Sequence, residues 1–530
     1  MSKIHNIGIY GTGAMGIALA RNFARNNYKV AVSNRTTKKG YLALKSIKKY
    51  KESKNISYKE TLEELVEEVK GPIILLVKSG DPQEDLINAT STTPIDDVIF
   101  NGSESISING KLTMMKPLIE LVNKEHIIID AGNSHPYTTS IRDLKLSKKN
   151  IKFLGMGVSG GEMGALKGPS LMPGGAYSTY KEIEKILQKV AAKKNNVICC
   201  NWMGPAGAGH FVKTIHNGIE YAIMQAIAEA YWMLRNALNL RNDEIEKFFK
   251  DCNKGIFRSY LLEISSHIFS KRNSKSDKFI IDEIQDIAGA KGTGKWTTQI
   301  AGDLGIGAGA IYSALESRQI SNKKIERNEL SKINKTKKSI IHLNNEKIIQ
   351  QTKDALFSNI IISYIQGFQI LLSGSNQKIY TAPHMQNTKN LYNYKKEDLL
   401  KELNLSNIAN VWKSGCIIRS NLLYTIDKIF KEEKTKNLIL SKILNNLIQK
   451  YYKGWKNAIL FAIKNNIPYQ LTSSCFNYYN TFRSDNLPLN LTQAQRDLFG
   501  AHTFKKKNGL DTIYHYYWGK KYSLTKSYKQ

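Results

Sequence analysis

A glycine-rich turn near the N-terminus constrains the fold of this chain more than any other stretch. Residues 4–10 form an apolar strand pattern, a GxGxxG turn follows, and a helical run continues to about Asn26. This order begins a dinucleotide-binding α/β domain, because the glycines permit the tight turn, the approach of a pyrophosphate and the packing of helix on strand. A purely structural glycine turn is the alternative. The expected coenzyme contacts are Gly11, Thr12, Gly13, Ala14, Met15 and Gly16.

The second strand indicates which dinucleotide binds. Lys29–Ser33 is a further strand pattern, and Asn34, Arg35 and Thr36 follow it, where NAD enzymes carry an acid for the ribose hydroxyls. No acid stands at these three positions. An arginine beside amide and hydroxyl side chains suits a 2′-phosphate, because the guanidinium forms charge-assisted hydrogen bonds with it. The sequence therefore predicts NADP.

Later strand ends carry further candidate ligands. Strand patterns at 72–77 and 126–130 lead into Val77-Lys78-Ser79 and into Ala131–Ser134, a stretch that includes Asn133. Ligands of α/β sheets gather at such strand ends. Between the two strands, Thr90–Lys111 is polar, lacks clear periodicity and contains Asn-Gly turn signals, so we interpret it as a surface insertion.

A glycine-rich stretch at 155–175 follows the sheet pattern. So many glycines usually mean that the backbone is pressed against a ligand or another chain. A flexible loop is the alternative, but the apolar residues between the glycines indicate order. Backbone N–H groups around Ser159, Gly160 and Gly161 can hold a carboxylate.

The predicted helix from Gly207 to Leu234 carries the candidate catalytic residues. Its polar face contains Lys213, His216, Asn217, Glu220 and Tyr221. A helix facing water is the alternative, but from Met224 onward the same face becomes apolar, so we expect it to be buried. Lys213 and Glu220 lie two turns apart, about 10 Å along the axis. Because burial lowers a lysine pKa and raises a glutamate pKa, the pair suits acid/base catalysis.

The length and the patterning together predict the domains. The 530 residues exceed what one core usually organises. Strand signals fade after Gly207, and helical periodicity dominates to about Ile467. We predict an α/β, Rossmann-like dinucleotide-binding domain at 1–206, a large all-α domain at 207–484, and a C-terminal tail at 485–530. Within the tail, residues 490–496 are expected to be helical only briefly.

Charge and cysteine usage limit the function classes. The net charge of +32 invites a nucleic-acid interpretation. The lysines occur as scattered doublets, which favours solvated surfaces, so we predict no nucleic-acid and no membrane partner.

Five cysteines without CxxC spacing indicate reduced thiols. A strand that begins by Ile4 leaves no room for a signal peptide, and no apolar run approaches membrane-spanning length. The expected location is the cytoplasm.

A second polar turn is suited to a phosphate. Ala290–Thr297 is loosened by glycines and carries two lysines and hydroxyl groups. It lacks the GxxxxGK[ST] pattern, which excludes a Walker ATP site there. Arg318, further along the chain, would by itself count as a solvated charge.

These separated stretches together resemble the 6-phosphogluconate dehydrogenase family. The matching stretches, in the family's order, are Gly11–Gly16 with Asn34–Thr36, Val77-Lys78, Gly132–Ser134, Gly155–Gly175, Lys213–Tyr221, Lys291–Trp296 and Gln495–Thr503. The resemblance implies oxidation of C3 of 6-phosphogluconate by NADP, followed by loss of CO₂ to give ribulose 5-phosphate, without a metal. It also implies a homodimer in which the tail of each subunit reaches its partner.

The resemblance also implies residue roles. Lys213 would take the 3-hydroxyl proton and return it to the ketone oxygen, while Glu220 would protonate the enediol carbon. Asn133 would contact both substrate and nicotinamide. The other implied substrate contacts are Ser159, Gly160 and Gly161 for the carboxylate end, His216 and Asn217 for the hydroxyls, Tyr221, Lys291, Thr293 and Arg318 for the phosphate, and Arg496 and His502 from the partner.

The chain departs from the family pattern at a few positions, and two other interpretations compete. Ala131 replaces a usual glycine, Lys167 replaces a usual aromatic residue, and the segments 90–111 and about 376–404 look inserted. The shorter β-hydroxyacid dehydrogenases resemble the nucleotide domain and the Lys213 helix, but they lack the long helical continuation. A polyanion-binding protein without catalysis is the other alternative, and it predicts salt-dependent nucleic-acid binding.

Overall fold

The structure is a computed structural model, and it divides into two compact units, Met1–Cys475 and Phe476–Gln530. The predicted boundary at 206/207 falls inside the first unit, and the three-domain division stays a prediction. The residues that the structure describes are 5–77, 94–106, 112–290, 292–333, 345–382, 385, 391–433, 435–507, 512–518 and 524–527.

The first unit contains a seven-stranded sheet in the order β3-β2-β1-β4-β7-β8-β9. Neighbouring strands are parallel except β8 and β9, which are antiparallel. The strands of the chain are β1 Ile7–Tyr10, β2 Val30–Ser33, β3 Ile56–Tyr58, β4 Pro72–Leu75, β5 Ser103–Ile106, β6 Leu112–Met115, β7 Ile127–Asp130, β8 Lys152–Ser159, β9 Ser170–Gly175, β10 Lys193–Lys194, β11 Val197–Ile198, β12 Phe504–Lys505, β13 Ile513–Tyr516 and β14 Leu524–Ser527.

Helices cover both faces of this sheet and dominate the chain after residue 207. The α-helices are α1 Ala14–Arg25, α2 Thr37–Ile47, α3 Leu62–Glu68, α4 Pro94–Asp96, α5 Leu118–Leu121, α6 Pro136–Ser147, α7 Gly161–Lys167, α8 Tyr177–Val190, α9 Ala208–Trp232, α10 Asn242–Cys252, α11 Tyr260–Phe269, α12 Ile280–Glu283, α13 Thr293–Asp303, α14 Gly309–Ser321, α15 Lys324–Ile333, α16 Asn345–Gln377, α17 Lys396–Leu400, α18 Leu405–Trp412, α19 Leu422–Glu432, α20 Lys442–Lys464, α21 Gln470–Phe482 and α22 Leu489–Gly500. Short 3₁₀ or π segments occur at Lys51–Asn55, Asp97–Asn101, Met233–Ala237, Gly255–Phe257 and Leu438–Leu440.

The parallel strands are buried on both faces, as their continuous apolar runs predict. One face packs against α1, where Leu19 and Phe23 are buried. The opposite face packs against α3 and against the segment 94–101. The predicted α/β domain followed by a helical region is confirmed.

The interpretation of Thr90–Lys111 as a surface insertion is wrong for its described first part. Ile95, Val98 and Ile99 are at most 3% exposed and belong to the core beneath the sheet. Their spacing places all three on one side of a helical turn, a signal that is short but present in the sequence. β5 and β6 then form an antiparallel hairpin in which Ser103 pairs with Met115.

Helix α9 packs against β8, β9, α13, α14 and α16, and this surrounding structure buries its first half on all sides. We predicted that the face of α9 that carries the polar residues becomes apolar and buried from Met224 onward, and this prediction is wrong in part. Met224 and Ala228 are exposed, whereas Ile227 and Leu234 are buried. The polar face of α9 is therefore buried by the elements packed on it and not because it continues into a core stripe.

Helix α16 is the one described helix that is long and apolar enough to cross a membrane. Its apolar window is 89% buried within the protein, and it packs against α9 and α20. We therefore interpret α16 as a core helix. All five cysteines are buried and unpaired.

The second unit contains α22 and the antiparallel sheet β12-β13-β14. The expectation of only a brief helix at 490–496 is wrong, because α22 runs over 12 residues from Leu489 to Gly500. Asp497 links this helix to the sheet. Its carboxylate accepts hydrogen bonds from Thr503 N at 2.9 Å, His515 Nδ1 at 2.9 Å, Tyr516 N at 3.0 Å and Trp518 Nε1 at 2.9 Å.

We expect the Asp497 carboxylate to stabilise the second unit in a pH-dependent way. Burial opposes its ionisation, but the bonds from His515, Tyr516 and Trp518 outweigh burial and lower its pKa from 3.8 to about 2. A carboxyl group whose pKa is lowered by folding stabilises the protein at pH values above its pKa in the unfolded chain. This stabilisation is lost as the pH falls from about 4 to about 2. The protection of the β13 amides against hydrogen exchange, taken relative to the intrinsic exchange rate at each pH, should fall in this window.

Asp497→Asn should remove that pH dependence and reduce protection at neutral pH by about 2 kcal/mol, because acceptor bonds of a charged group are lost. Asp485→Asn serves as a control on a neighbouring carboxylate. Wild-type protection that stays constant from pH 5 to 2 would contradict the assignment.

Candidate active site

A crevice of about 390 Å³ lies at the carboxyl ends of β1, β2 and β4. It lies where the sequence predicts the dinucleotide. It is lined by Tyr10, Gly11, Thr12, Gly13, Asn34, Arg35, Thr36, Lys39, Leu76, Val77, Asp97 and Val98. Five of these residues were not predicted, namely Tyr10, Lys39, Leu76, Asp97 and Val98.

The glycine turn fits a pyrophosphate. A Cβ on Gly13 would meet no atom within 4 Å, so the backbone there is open to a ligand. A Cβ on Gly16 would lie 1.9 Å from the Gly11 carbonyl oxygen, so only glycine allows helix and strand to approach this closely. The buried Thr12 hydroxyl has no hydrogen-bond partner among the described residues. Its amide donates to Asn34 Oδ1 at 3.1 Å and joins the turn to the end of β2.

The remaining predicted coenzyme residues lie in different settings. Ala14 and Met15 begin α1, and Met15 packs against the sheet core. Asn133 lies just after β7 and is exposed. Lys78 and Ser79, together with the predicted phosphate ligand Lys291, lie outside the described residues.

The polar residues of α9 are buried together. Lys213 and Asn217 are each 8% exposed, His216 is fully buried and Tyr221 is 6% exposed. The Glu220 side chain is 22% exposed, and its Oε2 lies 3.7 Å from His216 Nδ1. Strand β8 comes so close that a Cβ on Gly157 would lie 2.4 Å from the Cβ of Lys213. The helix therefore presents a protected polar cluster.

A chain of hydrogen bonds fixes His216 against β8. His216 Nδ1 lies 3.1 Å from Asn217 Oδ1, an acceptor, so Nδ1 carries the proton. Nε2 is then the acceptor of the Ser159 hydroxyl at 3.1 Å. Ser159 Oγ in turn accepts the Ile417 amide at 3.3 Å. The arrangement holds Ser159, His216 and Asn217 in one orientation beside Lys213.

Burial moves the pKa values of Lys213, His216 and Glu220 toward the neutral forms of these groups. It lowers the pKa of Lys213, and the charge of Glu220 partly opposes this shift. It raises the pKa of Glu220, against the charges of Lys213 and Arg318. Burial and the Lys213 charge hold the pKa of His216 well below its usual value. The cluster thus contains a lysine poised as a base and a glutamate poised as an acid.

The start of α13 and the middle of α14 complete the far end of the cluster. A Cβ on Gly294 would lie 2.5 Å from the Tyr221 ring, so α13 begins directly against α9. Thr293, the first residue of α13, is 5% exposed. The Arg318 guanidinium lies 3.5 Å from the centre of the Tyr221 ring. A helix N-terminus and a guanidinium beside a phenol suit a phosphate.

Arg496 and His502 lie in the second unit. Both are exposed. Arg496 donates to Gln493 Oε1 at 3.1 Å, and the His502 ring packs edge-on against Phe499 with 5.8 Å between ring centres. Their role as partner-subunit ligands remains a prediction.

Sequence reasoning missed the segment Trp412–Ile417. Trp412 packs edge-on against the His216 ring at 5.6 Å, and Ile417 supplies the amide that holds Ser159. These residues carry no periodic or ligand-like signal, and 258 positions separate Ile417 from Ser159. Lys39 carried a weak signal, because it follows Thr36 by one helical turn and so faces the same crevice.

A dinucleotide crevice and a buried lysine–glutamate pair in one unit define a dinucleotide-dependent dehydrogenase. Comparison with known families identifies the group. Residues 6–111 and 95–204 match the NAD binding domain of 6-phosphogluconate dehydrogenase, and residues 209–394 and 381–518 match the C-terminal domain of the same enzyme. The chain belongs to the 6-phosphogluconate dehydrogenase family.

Relatives match over nearly the full length. A decarboxylating 6-phosphogluconate dehydrogenase of Lactococcus lactis is 36% identical over 97% of this chain and 98% of its own. The NADP(+)-dependent, decarboxylating enzyme of Bacillus subtilis is 36% identical over 98% of this chain and all of its own. The solved 6-phosphogluconate dehydrogenase of Plasmodium falciparum is similar with a TM-score of 0.81 and 33% identity, covering 97% of this chain and 100% of that one.

Proposed function

We propose that this protein oxidises and decarboxylates 6-phosphogluconate to ribulose 5-phosphate and CO₂, with reduction of NADP, in the oxidative pentose phosphate pathway. The observation that carries the proposal is the buried Lys213–Glu220 pair, whose pKa values are shifted toward a neutral base and a neutral acid. The relatives named for this reaction support it, as does a solved relative described with NADP+ and with 6-phosphogluconate.

The residues of α9 account for the proton transfers. Neutral Lys213 takes the proton of the 3-hydroxyl as the C3–H bond breaks, and NADP held in the crevice would supply the hydride acceptor. The protonated Lys213 then gives its proton to the ketone oxygen as the C1–C2 bond breaks and CO₂ leaves. Glu220 protonates the enediol carbon while Lys213, neutral again, takes the proton of the enediol hydroxyl at the former C3, which yields the ketopentose. Lys213 therefore ends protonated and Glu220 ends ionised, and proton exchange with solvent restores both.

The substrate lies along α9 in this proposal. Its carboxylate end faces Ser159, Gly160 and Gly161, and its hydroxyls face His216 and Asn217. Asn133 contacts both the substrate and the nicotinamide. The phosphate is held by Tyr221, Lys291, Thr293 and Arg318.

Two copies of the chain form the functional unit in this proposal, with Arg496 and His502 of the partner's tail completing each phosphate site. The surface of α12–α15 supports this assembly. Ile284, Ile325 and Ile333 are 61%, 73% and 77% exposed, and α15 has no buried residue. Exposed isoleucines on successive helices fit an interface between copies. The five buried, unpaired thiols fit the cytoplasm.

The direct test follows NADP reduction and CO₂ release together with 6-phosphogluconate as substrate. Both should occur in equal amounts. Lys213→Met should nearly abolish turnover and leave NADP binding intact, because Lys213 does not line the coenzyme crevice. A preference for 3-hydroxyisobutyrate over 6-phosphogluconate would refute the proposal.

Coenzyme preference tests Arg35. This residue lines the crevice beside Lys39, so a 2′-phosphate there meets cationic side chains. Arg35→Ala should reduce the preference for NADP over NAD by about 2–3 kcal/mol, the value of a charge-assisted contact. The measurement is kcat/KM for each coenzyme, with Arg25→Ala on α1 as control. Unchanged selectivity would show that another group binds the phosphate.

The pH profile tests the roles of Lys213 and Glu220. Activity should fall in acid as Lys213 gains a proton and in alkali as Glu220 loses one. The alkaline limb reports the ionisation of Glu220, so Glu220→Gln should remove that limb from the residual kcat/KM profile. The acid limb should stay in place, because Glu220 is already neutral there and its replacement removes no charge next to Lys213. Glu67→Gln on α3 is the control, and an alkaline limb that persists in Glu220→Gln would contradict the assignment.

Subunit complementation tests the tail. A mixture of Arg496→Ala chains and Lys213→Met chains should recover activity, because each heterodimer has one site with neither substitution. Random pairing of equal amounts gives about a quarter of wild-type activity. Failure to recover activity, with heterodimers shown to form, would mean that Arg496 does not act across the interface.

A further inference from the structure

The hairpin β5–β6 begins within the segment 90–111, which looks inserted relative to the family, and ends just after it, beside the coenzyme crevice. Met115, at the end of β6, is 5% exposed, and the Tyr10 hydroxyl donates to its sulfur at 3.1 Å. Tyr10 ends β1 and lines the crevice. The side of the hairpin that carries Thr113 and Met114 therefore stands at the mouth of the dinucleotide site.

A second cavity, of about 180 Å³, opens between this hairpin and the strand ends. It shares Tyr10, Asn34 and Arg35 with the crevice, so the two spaces meet at Arg35. Thr113 and Met114 form its outer side. A ligand bound in the crevice could therefore place a ring system in this second cavity, on the far side of Arg35.

The two spaces differ in charge. The crevice combines Arg35 and Lys39 with a single carboxylate, Asp97, which favours an anion. The second cavity combines Arg35 with two carboxylates, Glu60 and Glu63. Carboxylates repel a phosphate but accept hydrogen bonds from an amino group. The second cavity therefore suits an uncharged ring with an exocyclic amine, and the 2′-phosphate belongs on the Lys39 side.

We propose that Thr113 and Met114 of the hairpin β5–β6 form one wall of the adenine subsite, with Arg35 and Asn34 opposite. The proposal rests on the proposed function, because adenine is the ring that NADP carries at this end. Met114 is 73% exposed, and an adenine ring would cover it. The Arg35 guanidinium stacks on the other face of the adenine ring. A glutamate carboxylate accepts a hydrogen bond from the 6-amino group of adenine. The hairpin thus contributes affinity for the adenosine end of the coenzyme.

The test uses Met114→Ser, which removes the apolar wall at an exposed position and leaves the fold intact. Titration with 2′,5′-ADP reports the adenosine end without catalysis. Its Kd should rise about fivefold. KM for NADP and KM for NAD should rise by the same factor, because the contact is with the base, while KM for 6-phosphogluconate stays unchanged. Arg35→Ala, which removes both the stack on the ring and a contact to the 2′-phosphate, should instead raise KM for NADP more than KM for NAD.

Ile463→Ser, an equally exposed apolar position on α20, is the matched control and should change none of these values. The double variant Thr113→Ala/Met114→Ser should bind 2′,5′-ADP more weakly than the single variant. A Kd within twofold of wild type in both variants overturns the proposal, and so does an effect confined to KM for 6-phosphogluconate. If wild-type protein binds 2′,5′-ADP through Met114 yet does not oxidise 6-phosphogluconate, the subsite stands and the proposed reaction fails.

Discussion

The close packing around α9 is the constraint on which the rest of the site depends. On one side β8 approaches until a Cβ on Gly157 would lie 2.4 Å from the Cβ of Lys213. On another side α13 packs until a Cβ on Gly218 would touch Thr297, whose hydroxyl donates to the Thr214 carbonyl at 2.8 Å. Helix α16 contacts a third side, where a Cβ on Gly367 would lie 2.3 Å from Ile219. Glycines on β8, α9 and α16 make these contacts possible, so α9 cannot shift along its axis without a steric clash.

This packing explains the electrostatics of the site. A lysine and a glutamate in water would be charged and would pair weakly. On α9 the loss of solvent acts on both and moves their pKa values toward each other. An unpaired polar group in such a place is destabilising, so His216 and Ser159 are held in a hydrogen-bonded chain that ends at the Ile417 amide. Buried charge costs stability, and the surrounding packing must provide that stability.

How much of this site could be predicted depends on how far apart its residues lie along the sequence. The GxGxxG turn and the α9 residues were predictable, because fixed short spacings bring them together on one turn or one helix face. The contact of Ile417 with Ser159 was not, because only the tertiary fold brings these residues together. The buried turn of Ile95, Val98 and Ile99 was missed although its spacing is helical, because polar neighbours on both sides hid so short a pattern. The tail helix was underestimated because Asp497, within it, is hydrogen-bonded by His515 and Tyr516 of a strand that local sequence does not bring close.

The two segments that look inserted, 90–111 and about 376–404, both attach to α6. Asp96 of the first pairs with the buried Arg142 at 2.5 Å on this helix. Tyr394 of the second donates to the adjacent Asp143, whose pKa burial raises to about 7. Both contacts satisfy groups that would be unfavourable to bury alone. The second segment also reaches the start of α9, where the Tyr380 ring packs against Phe211 with 5.4 Å between ring centres and the Tyr380 carbonyl accepts the Gly207 amide at 3.0 Å. This segment therefore adds to the packing that fixes the catalytic helix.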